Sequence, residues 1–115
     1  MTKSVLENAT AHFKEQLAGK MFELAVPEWQ TTIYYHSTVS MRTESKIMAL
    51  TQQGKTAEAL VESIVMKSLD SEGNRVFRDT DRAALLNEAD PKILIRVATK
   101  LNNAGENALA EIEGN

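Results

Sequence analysis

The sequence predicts an α+β fold that is mostly α-helical, with about five helices and one β-hairpin near residues 20–36. Apolar residues recur at helical spacing over most of the chain, which is typical of helices packed on a core. Residues 22–26 instead place a large apolar side chain at every second position, which is typical of a half-buried strand. At 115 residues, 43% of them hydrophobic, the chain has the size of one compact domain.

The first helix is predicted from about Val5 to Ala18. Ser4 and Glu7 have the spacing of a capping box, in which each side chain pairs with the backbone N–H of the other residue. One side of this helix is apolar and needs a surface to pack on, and Gly19 is a natural end for it.

The hairpin is predicted from a change of period after Lys20. Pro27 cannot donate a backbone hydrogen bond to a sheet, so it ends the first strand, and Glu28 and Trp29 form the turn. Residues 30–36 are the most β-branched and aromatic run in the chain, which favours a partner strand.

Two helices are predicted after the hairpin. Ser40 caps a helix from Met41 to Gln52, which Gly54 ends. The next helix has the strongest core pattern in the chain. Its apolar residues at helical spacing are Ala57, Leu60, Val61, Ile64, Val65 and Leu69.

Two more helix starts follow a polar turn at residues 70–74. Asp79 is expected to cap a short helix over residues 80–87. Asp90 and Pro91 begin the last helix, with Asp at the cap and Pro at the first helical position, where its missing N–H costs nothing. Residues 1–103 are therefore predicted to form a single helix-rich domain with the β-hairpin, and residues 104–115 a flexible acidic tail.

Composition disfavours several classes of function. The formal net charge of −3 argues against a protein that tracks nucleic-acid phosphates, which needs clustered Lys and Arg. The chain has no cysteine, which excludes disulfides, thiolate metal sites and cysteine nucleophiles. It also has no signal-peptide pattern and no apolar run of membrane-spanning length. We therefore expect a protein that contacts neither nucleic acid nor membrane and stays in the compartment where it is made.

One spacing invites a test for a calcium loop. Asp70, Glu72 and Asn74 place oxygen ligands at alternate positions, as the first half of an EF-hand loop does. However, Arg75 stands where that loop needs glycine, and Asp81 stands where it needs a bidentate glutamate. The sequence therefore predicts a plain polar turn and no metal site.

Two histidines could in principle act as acid-base groups near neutral pH. His12 lies in the first helix, and His36 ends the second predicted strand. Neither belongs to a catalytic motif, and the chain has no phosphate-binding glycine loop. We therefore predict no enzymatic activity, no catalytic residue and no cofactor.

The candidate partner-binding residues are Trp29, Tyr34, Lys92, Arg96 and Lys100. Trp29 either packs on the first helix or contacts a partner. Tyr34 and Tyr35 are neighbours on the predicted strand and must point to opposite faces, so we expect one of them to be exposed or buried in an interface. The three basic residues recur every fourth position along one side of the last helix. That side is either a solvated face or a docking face for an acidic partner.

The order of these segments resembles the tail assembly chaperones of long-tailed, non-contractile bacteriophages, including those carried by prophages. The likeness covers roughly residues 22–103: a V-P-E-W turn, a T-I-Y-Y strand, a Ser-capped helix, the apolar core helix and a D-P-capped helix that ends in L-N-N. Its most informative part is the run D-x-x-G-x-x-x-F-x-D-x-D-x-x-x-L from Asp70 to Leu85.

The resemblance implies a non-enzymatic chaperone that binds the tape measure protein, keeps it soluble and delivers it to tail tube subunits. It also implies self-association, action in the host cell cytoplasm and absence from the mature virion. In this family a translational frameshift commonly adds a C-terminal extension to a minority of copies. Two other functions stay open: a small homo-oligomeric adaptor unrelated to tails, and an acidic regulator that contacts nucleic acid through its last helix.

Overall fold

A computed structural model describes residues 4–103 of the chain, and it confirms the predicted mostly helical α+β fold with one hairpin. The predicted tail over residues 104–115 lies outside the described part. The elements in order are α1 (Val5–Ala18), β1 (Phe22–Val26), β2 (Thr31–Tyr35), α2 (Met41–Gln52), α3 (Thr56–Lys67), α4 (Arg82–Glu88) and α5 (Pro91–Asn102).

Helix α1 begins where the capping box predicts. The Ser4 hydroxyl accepts the Glu7 N–H at 3.0 Å, and the Glu7 carboxylate accepts the Ser4 N–H at 3.1 Å. The helix contributes no buried residue to the protein. Val5 and Leu6 at its start are 84% and 73% exposed, whereas Phe13 and Leu17 further along are half-buried.

The strands β1 and β2 pair antiparallel, with Leu24 opposite Ile33 in the middle of the ladder. A 3₁₀ turn over Pro27–Trp29 connects them, and Gln30 completes the turn with a φ of 54°. One face of the hairpin packs on the helices, as the buried Val26 and Ile33 show. The other face, which carries Tyr34, is only partly covered.

Helix α3 is the centre of the core and contacts α2, α4 and α5. Fully burying each of its large aliphatic side chains contributes about 1.5–3 kcal/mol to folding. The most deeply buried large side chains of the described residues are Val26, Ile33, Ile64, Val65, Val97 and Leu101.

The end of α3 differs from the sequence prediction. The apolar pattern extended the helix stripe to Leu69, but the helix ends at Lys67 because Ser68 adopts an extended conformation. Leu69 instead forms a bridge to β2, in which its N–H donates to the Tyr34 carbonyl at 2.8 Å and its carbonyl accepts the Tyr34 N–H at 2.9 Å. A single apolar residue fits either pattern, so periodicity could not separate them.

The start of the fourth helix also differs from the prediction. A 3₁₀ turn over Asp79–Asp81 precedes α4, and Asp79 makes no capping bond. The Asp81 carboxylate accepts the Arg78 N–H at 2.7 Å instead. Helix α5 begins as predicted, since the Asp90 carboxylate accepts the Lys92 N–H at 2.9 Å.

Within residues 4–103, every helix is too short or too polar to cross a lipid bilayer.

Candidate protein-binding surface

A tight polar turn positions the loop between α3 and α4. The Asp70 carboxylate accepts the backbone N–H groups of Glu72 and Asn74 at 2.9 and 3.0 Å, and Gly73 has a positive φ of 88° that favours glycine. The calcium-like spacing is thus used to fold the turn. Among residues 4–103, no cluster of three or more His, Cys, Asp and Glu side chains is arranged to hold a metal ion.

Ion pairs fix the loop and α4 against α3. The Arg82 guanidinium binds both carboxylate oxygens of Glu62, at 2.7 and 2.9 Å, and this hydrogen bonding raises the pKa of Arg82 above its ordinary value. Asp79 pairs with Arg75 at 2.9 Å, and the hydrogen bond from Arg75 lowers the pKa of Asp79. Because Glu62 is buried, removing either Glu62 or Arg82 would leave a charge unpaired and disturb the position of α4.

A second bidentate pair joins the hairpin turn to α5. The two Arg96 nitrogens donate to the Glu28 carboxylate at 2.7 and 2.8 Å. The hydrogen bond from Arg96, with a smaller contribution from a backbone hydrogen bond, lowers the pKa of Glu28 to about 2, and the same pairing raises the pKa of Arg96. One residue of the predicted basic row is therefore already paired within the protein.

An apolar groove lies between the hairpin turn and the loop before α4. Trp29 packs edge-to-face on Phe77, with ring centroids 6.1 Å apart and an interplanar angle of 84°. We call the depression beside these rings the hairpin-turn groove. Its volume is about 360 Å³, and it is lined by Trp29, Thr31, Ile33, Val76, Phe77, Leu85 and Ala89.

The groove continues as a shallower depression over α4. Val76 and Leu85 line both parts, and the extension reaches Ala84 and Glu88. Val76, in the loop before α4, is 43% exposed. The surface is therefore an elongated, largely apolar strip that includes a half-buried tryptophan and, in its extension, the carboxylates Asp81 and Glu88.

The structure brings together some of the predicted partner-binding residues. Trp29 lies in the groove, and Arg96 pairs with Glu28, the residue before Trp29. Lys92 and Lys100 are exposed one turn before and one turn after Arg96 on α5. Tyr34 lies apart, on the outer face of the hairpin opposite Glu23. Trp29 contacts Phe77 of the loop, a contact that was not predicted from the sequence.

The sequence did not identify the loop residues Val76 and Phe77 or the helix residues Leu85 and Ala89 as one surface. A signal was present, because Phe77 and Leu85 occupy fixed positions in the D-x-x-G-x-x-x-F-x-D-x-D-x-x-x-L run. Apolar residues in a polar loop are informative, but their role depends on which distant elements surround them.

The two histidines lie in different environments. His12 is exposed on α1. His36 lines a cleft of about 240 Å³ together with Glu44 and Lys67, whose side chains pair at 2.7 Å. Glu44 is the one carboxylate among the described residues that line this cleft.

Comparison with known proteins bears on the fold. The structure is similar to that of the bacteriophage HK97 tail assembly chaperone, with a TM-score of 0.53 and 16% sequence identity. The match covers 80% of this chain and 94% of the HK97 chain. No protein-family model matches the sequence, and no curated protein sequence matches it. The resemblance predicted from the sequence is thus confirmed at the level of the fold: this chain folds like a bacteriophage tail assembly chaperone.

Proposed function

We propose that this protein is a tail assembly chaperone that acts without catalysis. In this proposal it binds the tape measure protein in the host cell cytoplasm, keeps it soluble and helps to recruit tail tube subunits. It then leaves before the virion is complete. The similarity of fold to the HK97 chaperone supports the general role. The hairpin-turn groove supports binding of a polypeptide and is the observation on which the proposal depends.

The shape and lining of the groove favour a helical ligand. An elongated apolar strip accepts the side chains that an amphipathic helix presents at every third or fourth position. Trp29 and Phe77 offer large, rigid contact area, and tryptophan is among the residues that contribute most to protein interfaces. The bidentate pair Arg82–Glu62 holds α4, and the pair Arg96–Glu28 holds the hairpin turn. The groove is therefore ordered before binding, which lowers the entropy cost of binding.

The exposed cations Lys92 and Lys100 lie one turn before and one turn after Arg96, which pairs with Glu28 of the hairpin turn. Within residues 4–103 neither forms an ion pair, so both are available to acidic side chains beside the apolar stripe of a ligand. Charges at the edge of an interface mainly change the association rate and its salt dependence. They would orient the ligand, while the groove supplies most of the affinity.

Several copies acting together complete the mechanism. One small groove binds weakly, but a row of self-associating copies along one long partner sums its contacts. The exposed Val5 and Leu6 of α1 offer apolar surface for such self-association. Release then needs only competition from tail tube subunits.

A matched pair of variants tests the proposal. Val76→Ser removes apolar area in the groove, and Ile95→Ser removes it from α5 at a similarly exposed position, since the two residues are 43% and 51% exposed. Both variants should fold, because neither side chain is buried. Co-expression with a tape measure fragment should raise the soluble yield of that fragment with the wild type and Ile95→Ser. Val76→Ser should weaken binding by roughly tenfold, the equivalent of about 1.4 kcal/mol.

The same co-purified complex reports on stoichiometry. Light scattering should give more than one chaperone per fragment, and a one-to-one complex would contradict the multi-copy part of the proposal. If the wild type leaves the soluble yield of the fragment unchanged, the chaperone role is wrong. If both variants lose binding equally, the groove is not the binding surface.

A further inference from the structure

The cleft beside His36 has features that the groove does not explain. It lies where the connection between β2 and α2 meets the ends of α3 and α5. Its polar lining includes His36, Thr38, Glu44, Lys67 and Asn102. The hairpin-turn groove lies at the other end of the hairpin, beside Trp29, so the two surfaces are separate.

Lys67 is a charged group built into the floor of this cleft. It is 7% exposed, and its ammonium donates to the Glu44 carboxylate at 2.7 Å and to the Asn102 side-chain oxygen at 2.9 Å. An ammonium has three donors, so these two bonds leave one unused among the described residues. Glu44 is 41% exposed and can rotate into water, whereas Lys67 cannot follow it. The buried cation therefore has a carboxylate partner that another carboxylate can replace.

His36 presents a second unused group. Its Nδ1 atom is buried and finds no hydrogen-bond partner within residues 4–103. A buried nitrogen without a partner costs free energy until a ligand, a water molecule or another part of the chain supplies one. In the tautomer that carries hydrogen on Nδ1, this atom is a donor, and its ring lines the same cleft as Lys67.

We infer that the cleft formed by His36, Lys67 and Asn102 binds a carboxylate presented by a polypeptide. Lys67 neutralises the charge, and His36 donates to the carboxylate. The buried ammonium disfavours a cation, and the volume of about 240 Å³ disfavours a large ligand. This inference does not rest on the proposed chaperone role, because it uses none of the groove residues.

The sequence provides a nearby source for the carboxylate. Residues 104–115 contain three glutamates and no basic residue. The first of them, Glu106, follows Asn102 by four residues, and four residues span at most roughly 14 Å. A carboxylate of a partner chain has the same chemistry, so the experiment must separate binding within the chain from binding between chains.

The test uses the full chain and the NMR signals of the His36 ring and the Lys67 ammonium. Binding within the chain predicts that Glu106→Gln shifts both signals, whereas Glu23→Gln, an exposed carboxylate on β1, leaves them unchanged. Binding between chains predicts instead a saturable shift when a tetraglutamate peptide is added to the wild type. Either result supports the carboxylate site and names its source.

Two further variants guard against an effect of misfolding. Lys67→Met should abolish the shift of the His36 signal, although losing the bonds from Lys67 to Glu44 and Asn102 can unfold the protein. Glu44→Gln removes the competing carboxylate, so it should bind the peptide at least fivefold more tightly. If neither Glu106→Gln nor the peptide moves the His36 and Lys67 signals, the inference is wrong. It is also wrong if Glu44→Gln binds the added peptide no more tightly than the wild type does. None of these outcomes depends on the tape measure protein, so they leave the chaperone proposal to its own test.

Discussion

Helices α1 and α3 show how the same kind of sequence pattern leads to opposite structural roles. Both are amphipathic and of similar length, with 14 and 12 residues. Helix α3 buries seven of its residues at the centre of the core, whereas α1 buries none. Apolar periodicity therefore shows that a helix has a side to be covered, but not what covers it. That distinction separates the stabilising part of this protein from surface available for association.

The largest expected effect tests the role of α3. Ile64 is fully buried, so Ile64→Asp places a carboxylate in the core without a partner and should unfold the protein outright. Leu6→Asp in α1 is the matched change at an exposed site and should alter the free energy of unfolding by less than about 0.5 kcal/mol. Far-UV circular dichroism during urea titration measures both. A cooperative, wild-type-like transition in Ile64→Asp would contradict the assignment of α3 as the core helix.

An intermediate effect is expected where α3 meets α4. Arg82→Met removes the cation that pairs with Glu62, which is 8% exposed, and leaves its carboxylate buried without that partner. Breaking a fully buried pair costs about 3–5 kcal/mol, and the partial exposure of Arg82 reduces our expectation to about 2–3 kcal/mol. Urea titration again measures the loss.

The double variant Arg82→Met with Glu62→Leu sharpens this prediction. It removes the unpaired carboxylate together with the cation, so it should recover part of the lost stability. If the double variant is less stable than Arg82→Met alone, the loss comes from packing of the arginine side chain and not from the buried charge.

The elements that the sequence predicted well have a local cause. Helix α1 starts at the Ser4–Glu7 capping box, α2 starts after Ser40, and α5 starts after Asp90. Each cap satisfies N–H groups within a few residues, so the information lies in one short stretch of sequence. The bounds of these helices therefore follow from neighbouring residues alone.

The features that could not be predicted depend on distant residues. Glu28 and Arg96 pair across 68 positions of sequence, and no local pattern joins them. Trp29 meets Phe77 only because the hairpin turn and the loop before α4 are brought to the same place by the core. Candidate site residues could be chosen by type, but their grouping into a groove required the tertiary arrangement.

The smallest expected effect concerns the exposed pair between Glu28 and Arg96, the counterpart of the buried pair on α3. The hydrogen bond from Arg96, together with a backbone hydrogen bond, lowers the pKa of Glu28 from 4.5 to about 2, so the pair contributes to stability above the unfolded pKa and loses that contribution as pH falls towards 2. NMR titration of the Glu28 carboxyl should show this low midpoint in the wild type. In Arg96→Ala the midpoint should return towards 4.5, with little change in stability at neutral pH because the pair is exposed. If the midpoint stays low without Arg96, other groups lower the pKa of Glu28, and the hairpin turn is not held to α5 by this pair.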